Sequence, residues 1–137
     1  MADKIEAGAR LVQGNQLALD NARAHCVVSD LPTDTGEGYG PTPLELCIMS
    51  HAGCYAITLV STAKKMRINL AALEVRVTAT KGNEAGTITE EKFDIKIKTD
   101  ATPDRIQRLH ELTLEHCPVG IIFEKANVKI AYNIETT

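Results

Sequence analysis

The 137-residue sequence contains no tryptophan and only 4% aromatic residues, too few for a surface that stacks nucleobases or sugar rings. A strong excess of either charge is also missing. Fifteen Lys and Arg against eighteen Asp and Glu leave a formal net charge of −3, so the long-range field repels polyanions and no nucleic-acid partner is expected. The longest apolar run, around Cys54 to Val60, falls short of the roughly 20 residues that cross a bilayer, and no membrane partner is expected. The amino terminus, Met1-Ala-Asp-Lys-Ile-Glu, lacks the apolar stretch of a secretory signal. These absences predict a cytoplasmic protein.

What is present is an ordinary globular composition, 44% hydrophobic and 24% charged, which fits one domain over residues 1–137. Four cysteines, Cys26, Cys47, Cys54 and Cys117, stand in a chain too large to depend on disulfide staples. In a reducing compartment cysteine serves packing, metal binding or redox chemistry.

The first forty residues alternate apolar and polar positions in three segments, with Gly14-Asn15 and Asp20-Asn21 as turn formers, predicting an antiparallel meander. The loop Asp34–Gly40 carries three glycines but lacks the Lys and the strand-loop-helix setting of a phosphate cradle. A helix is predicted over Pro43–Met66, with Thr42 as cap, Pro43 in the first turn, Glu45 near the positive end and Lys64, Lys65 and Arg67 at the close. Leu44, Cys47, Ile48, His51, Cys54, Tyr55, Thr58 and Leu59 share one face, while Leu46, Met49, Gly53 and Ile57 make the rest apolar. Such a helix is expected to be buried nearly all round, at the centre of the fold or partly beneath a second subunit. Leu73–Thr80 and Thr87–Lys98 alternate as a hairpin. A second helix starts at Pro103 behind Thr102, Pro118 interrupts it, Val119–Lys125 forms a further helical turn, and Val128–Ile134 closes as a strand. The fold class is α+β.

Two thiols draw attention. Cys54 lies midway along the apolar helix in Ser50-His-Ala-Gly-Cys-Tyr, and Cys117 stands in His116-Cys-Pro-Val-Gly, where a helix restarting at Pro118 puts it at a capping position. Free amides and the helix dipole there favour thiolate over thiol, and His116 adds positive charge beside it. Core packing is the plain alternative for any single cysteine.

Gly40-Pro-Thr-Pro-Leu-Glu-Leu, followed by Ala52-Gly-Cys54 and then His116-Cys-Pro-Val, resembles the OsmC/Ohr family of osmotically inducible and organic-hydroperoxide-resistance proteins, and the order of elements agrees along nearly the whole chain. The resemblance implies an OsmC-like fold: an N-terminal meander, a long central helix, a hairpin, a second helix broken near Pro118 and a final strand, assembled as an intertwined homodimer. It also implies thiol peroxidase chemistry on organic or small hydroperoxides. Cys54 would be the peroxidatic thiolate and Cys117 the resolving thiol, the two forming a disulfide that an external dithiol, lipoyl in the better-known branches, reopens. No metal or organic cofactor is implied.

The likeness is not complete. In the well-characterised peroxidases of the family the acidic residue follows the proline directly and orients an arginine from the N-terminal strands. Here Leu44 occupies that place and Glu45 comes one residue later, about 100° around the helix; a helix-start carboxylate held by the dipole is the competing reading of Glu45. The turn where the arginine falls carries Gly14, Asn15 and Gln16, flanked by Arg10 and Arg23, which read equally as solvated residues. His51, one turn before Cys54, is a candidate base or cationic neighbour. Cys47, His51 and Cys54 at i, i+4 and i+7 also suit zinc, although any buried helix face yields that spacing. The alternative to an enzyme is a non-enzymatic member that binds a small apolar or electrophilic ligand, or senses oxidation, in an interface pocket.

Overall fold

The computed structural model describes residues 2–137. The chain divides into two compact units, Met1–Cys47 and Ile48–Thr137. In the first, β1 (Gly8–Gln13), β2 (Gln16–Asp20) and β3 (Cys26–Ser29) form the expected antiparallel meander in the order β1-β2-β3. Gly14, at φ 52°, makes the left-handed turn between β1 and β2. The glycine-rich loop serves backbone approach. A Cβ at Gly40 would stand 2.1 Å from the Val28 carbonyl oxygen, and buried Asp30 ties the loop down by accepting the Leu31 and Tyr39 amides at 2.7 and 3.2 Å.

The helix α1 (Pro43–Lys65) begins with a reciprocal cap. The Glu45 amide donates to Thr42 Oγ1 at 3.1 Å and the Thr42 amide donates to Glu45 Oε1 at 2.8 Å, so two amides that the helix cannot satisfy internally are paired. These bonds to Thr42 hold the Glu45 carboxyl below its usual pKa. The carboxylate half of the cap is therefore in place above the ordinary Glu value and is lost as pH falls through the depressed one. Thr42→Ala is expected to lower stability by about 1 kcal/mol, read from the thermal midpoint at neutral pH.

In the second unit α1 is followed by β4 (Leu70–Lys81), β5 (Ile88–Thr99), α2 (Pro103–His116), α3 (Pro118–Lys125) and β6 (Lys129–Thr136). β5 is the central strand, antiparallel to β4 and parallel to β6. Its period-two alternation turns Glu91, Phe93, Ile95 and Ile97 inward. Tyr55, Leu59 and Ala63 of α1 and Ile106 and Leu109 of α2 join Phe93, Ile95 and Ile97 in one core with Cys117. Thr102 precedes α2 as expected, but without a side-chain capping bond.

Burial of α1 is narrower than its composition predicts. His51, Tyr55, Leu59, Thr62 and Ala63 form the buried stripe, whereas Cys47 is exposed and Met49 and Ile57 are 57% and 71% exposed. One chain supplies a cover for only one face. By length and composition α1 is also apolar enough to cross a membrane, with a mean hydropathy of 1.4 over an 18-residue window. Counting only apolar runs missed this because Ser50 and His51 break the run without lowering the helix average enough.

Candidate functional site

The second unit brings three of the predicted site residues together. His51 and Cys54 lie one helical turn apart on α1, while Cys117 occupies the non-helical link between α2 and α3, at φ −89° and ψ 101°. Pro118 fixes the first position of α3, and the Gly120 amide donates to Cys117 Sγ at 3.4 Å, so the sulfur is the cap of that helix. Cys117 is buried; Cys54 is partly buried against the same core. The two thiols lie near enough for Cys54 to raise the Cys117 thiol, and both pack against the same core.

His51 is held from three sides. Its Nδ1–H donates to both carboxylate oxygens of Glu91, at 2.9 and 3.0 Å, and both residues are buried. The imidazole stacks on Phe123 at 4.3 Å and meets Phe93 edge-on at 4.7 Å. With Nδ1 committed to the carboxylate, Nε2 is the nitrogen left for chemistry. It points toward the thiol link: a Cβ at Gly120 would stand 3.3 Å from His51 Nε2 and 3.2 Å from Cys117 Sγ. The absence of a side chain at Gly120 lets base and sulfur both close in on the same point of the backbone.

Burial pushes the Cys117 thiol up to about 11, and Cys54 adds to the rise, while the Gly120 and Val119 amides act against it. This corrects the expectation for a capping cysteine. The cap forms as predicted, but loss of water around a nearly enclosed sulfur outweighs the amides, and the proton stays on Cys117. His116 does not help, since it is exposed while its neighbour is buried. Burial likewise raises Tyr55 and Tyr132, the latter to about 12, with Cys117 contributing to both. The Tyr55 hydroxyl pairs with His110 Nδ1 at 2.7 Å, and burial depresses His110. Within this unit the surroundings of Cys117 are aromatic, and the His51 side chain is matched by an acid.

Glu45, Arg10 and Arg23 belong to the first unit. Glu45 is engaged in the cap of α1. Arg10 lies opposite Ala18 on β1 and is exposed, and Arg23 is exposed in the β2–β3 turn, where its amide donates to Asn21 Oδ1 at 3.1 Å. Among the described residues no group of three or more His, Cys, Asp and Glu is placed to hold a metal ion, and Cys47, needed for the zinc reading, is exposed. Sequence reasoning overlooked Glu91, Gly120 and Tyr132. Glu91 had a signal: it shares the parity of Phe93, Ile95 and Ile97, a carboxylate on the apolar face of a strand.

The profile of the OsmC-like protein family matches residues 35–133. Protein YhfA of Escherichia coli strain K12 is 27% identical over 134 residues, which span 95% of this chain and 98% of that protein. The crystal structure of an OsmC-like protein from Mycoplasma pneumoniae superposes with a TM-score of 0.87 at 20% identity, covering 100% of this chain and 99% of the other. The organic hydroperoxide resistance protein OhrB of Bacillus subtilis gives a TM-score of 0.66 at 19% identity, covering 97% and 98%. The succession of meander, long helix, hairpin, broken helix and closing strand is thus shared with solved OsmC and Ohr structures, and the match over residues 35–133 makes this chain a member of the OsmC-like protein family.

Proposed function

We propose that the protein is a cysteine-based redox protein of the stress-response kind, reducing organic or small hydroperoxides through Cys54 and Cys117. The observation that carries this reading is the convergence on one core of two thiols far apart in sequence, one partly open and one enclosed, near enough for one to shift the other. It also supports an order of events. Cys117 is enclosed and keeps its proton up to about pH 11, so it is the wrong species for first attack, and the more accessible Cys54 takes that part.

The Cys54 thiolate attacks the distal oxygen of the hydroperoxide; the S–O bond forms, the O–O bond breaks, and the alcohol leaves after taking up a proton. Cys117 then attacks the sulfur of the resulting sulfenic acid, forming the disulfide and releasing water. An external dithiol, lipoyl being the class suggested by the family, reopens the disulfide and is itself oxidised. Glu45, Arg10 and Arg23 are given no part in this scheme.

The exposed apolar face of α1, with Met49 and Ile57, is read as the surface a second copy covers, giving a homodimer. The two-sided apolar composition of the helix supports that assignment, as does the family.

The test uses reduced protein and cumene hydroperoxide, with free thiols and intact mass followed together. Rapid, stoichiometric loss of two thiols and a Cys54–Cys117 disulfide in the peptide map are expected. Slow, unselective gain of oxygen atoms would instead favour the non-enzymatic reading, a ligand-binding or oxidation-sensing member of the family.

A further inference from the structure

We infer that the buried Glu91–His51 pair is the proton acceptor for Cys117 when its sulfur attacks Cys54. The inference rests on the redox reading above and supplies what that reading lacks. An enclosed thiol that holds its proton this strongly cannot become a nucleophile at neutral pH without somewhere to put the proton. Cys54 is being consumed as the electrophile and cannot serve. The Gly120 and Val119 amides stabilise the developing thiolate but, as donors, accept nothing. Tyr55 and Tyr132, which also face Cys117, carry protons of their own that burial holds in place. His110 is tied to the Tyr55 hydroxyl, and Glu124 is felt at Tyr132.

His51 is placed for the task. Its Nδ1 is committed to Glu91, so the tautomer leaves the Nε2 lone pair on the side where Gly120 brings Cys117 Sγ close. Transfer runs directly between the two as the sulfur moves toward Cys54. As Cys117 forms the S–S bond, its proton passes to Nε2. The imidazolium is then matched by the Glu91 carboxylate already bonded to Nδ1–H, and the proton goes on to the departing hydroxide, which leaves as water. Glu91 is a positioning residue that acts through His51.

The step can be observed without any hydroperoxide. In a Cys26→Ser/Cys47→Ser background, Ellman's reagent converts Cys54 to a mixed disulfide with release of one thionitrobenzoate. Attack by Cys117 on that sulfur then releases a second, giving two absorbance phases at one wavelength. His51→Gln is expected to slow the second phase about 100-fold or more relative to the first. The slow phase should accelerate about tenfold per pH unit as pH rises toward the Cys117 value near 11, a steeper dependence than that of the parent. Glu91→Gln, which keeps the base but removes its counter-charge, is expected to slow the phase about tenfold and to move the bend of the profile. If His51→Gln alone does not fold, His51→Gln/Glu91→Gln replaces the charged pair by two hydrogen-bonding amides and carries the same expectation. A second phase of parental rate and pH profile in the folded variants overturns the inference, as does a parent that releases only one equivalent. A parent that releases both equivalents quickly, depends on His51, yet leaves cumene hydroperoxide unconsumed sustains the inference and sinks the peroxidase reading.

Discussion

Cys54→Ser is expected to reduce hydroperoxide consumption to background, a loss on the order of 10³-fold or more, because the one group that attacks oxygen is removed rather than an auxiliary to it. Cys117→Ser should behave differently. The burst of one hydroperoxide per chain is retained, since Cys54 is untouched, but no disulfide follows. The sulfenic acid then persists long enough to be captured by dimedone, and excess oxidant drives it on to sulfinic acid. Mass spectrometry of the two variants, with and without dimedone, separates these outcomes. Equal loss in both would mean that the assignment of first attacker and resolver is wrong. An adduct on Cys117 in the Cys54→Ser variant would reverse it.

Phe93→Ala is expected to cost about 3–5 kcal/mol. Phe93 is fully buried on the central strand and its ring meets His51, Tyr55 and Tyr132 at centroid separations of 4.7, 5.4 and 5.1 Å. Its removal opens a cavity in the middle of the core and takes away one of the two rings that hold the imidazole. A single domain commonly has only about 5–15 kcal/mol of stability, so the midpoint of urea unfolding should fall sharply, with little change in slope if the transition stays cooperative. Phe93→Leu, which keeps much of the volume, should cost clearly less. A cost below about 1 kcal/mol for Phe93→Ala would mean that the core closes over the gap, contrary to the dense ring contacts seen.

The elements themselves were readable because their signals are local. Thr42-Pro-Leu-Glu45 writes a helix start and a reciprocal cap into four residues, and Pro118 marks the restart that makes Cys117 a cap. The pairing of strands was not local. Nothing in the period-two pattern of residues 129–136 says that this strand lies parallel to β5, and nothing in the meander says that it forms a separate sheet. At the site, the two cysteines were visible by motif, and His51 by its place one turn from Cys54. The thiol of Cys117 was read the wrong way because capping is apparent in sequence while enclosure is not, and here enclosure decides the charge. Glu91 was the opposite case, present in the pattern as an acid among inward apolar residues and passed over as an ordinary member of a wet strand. The extent of α1's burial depends on what lies beside it, which no periodicity within the helix can report.

The sulfur of Cys117 both faces Cys54 and accepts the amide that closes the first turn of α3. In the proposed disulfide, a sulfur turned toward Cys54 is drawn off the Gly120 amide that the buried thiol caps. On the proposed redox reading, disulfide formation is thereby linked to the tightness of the short helix α3, whose Ile122 is 65% exposed. The oxidised and reduced molecules would then differ at their surface as well as in their chemistry, and a reductant arriving there would meet a docking face already altered by the bond it has come to break.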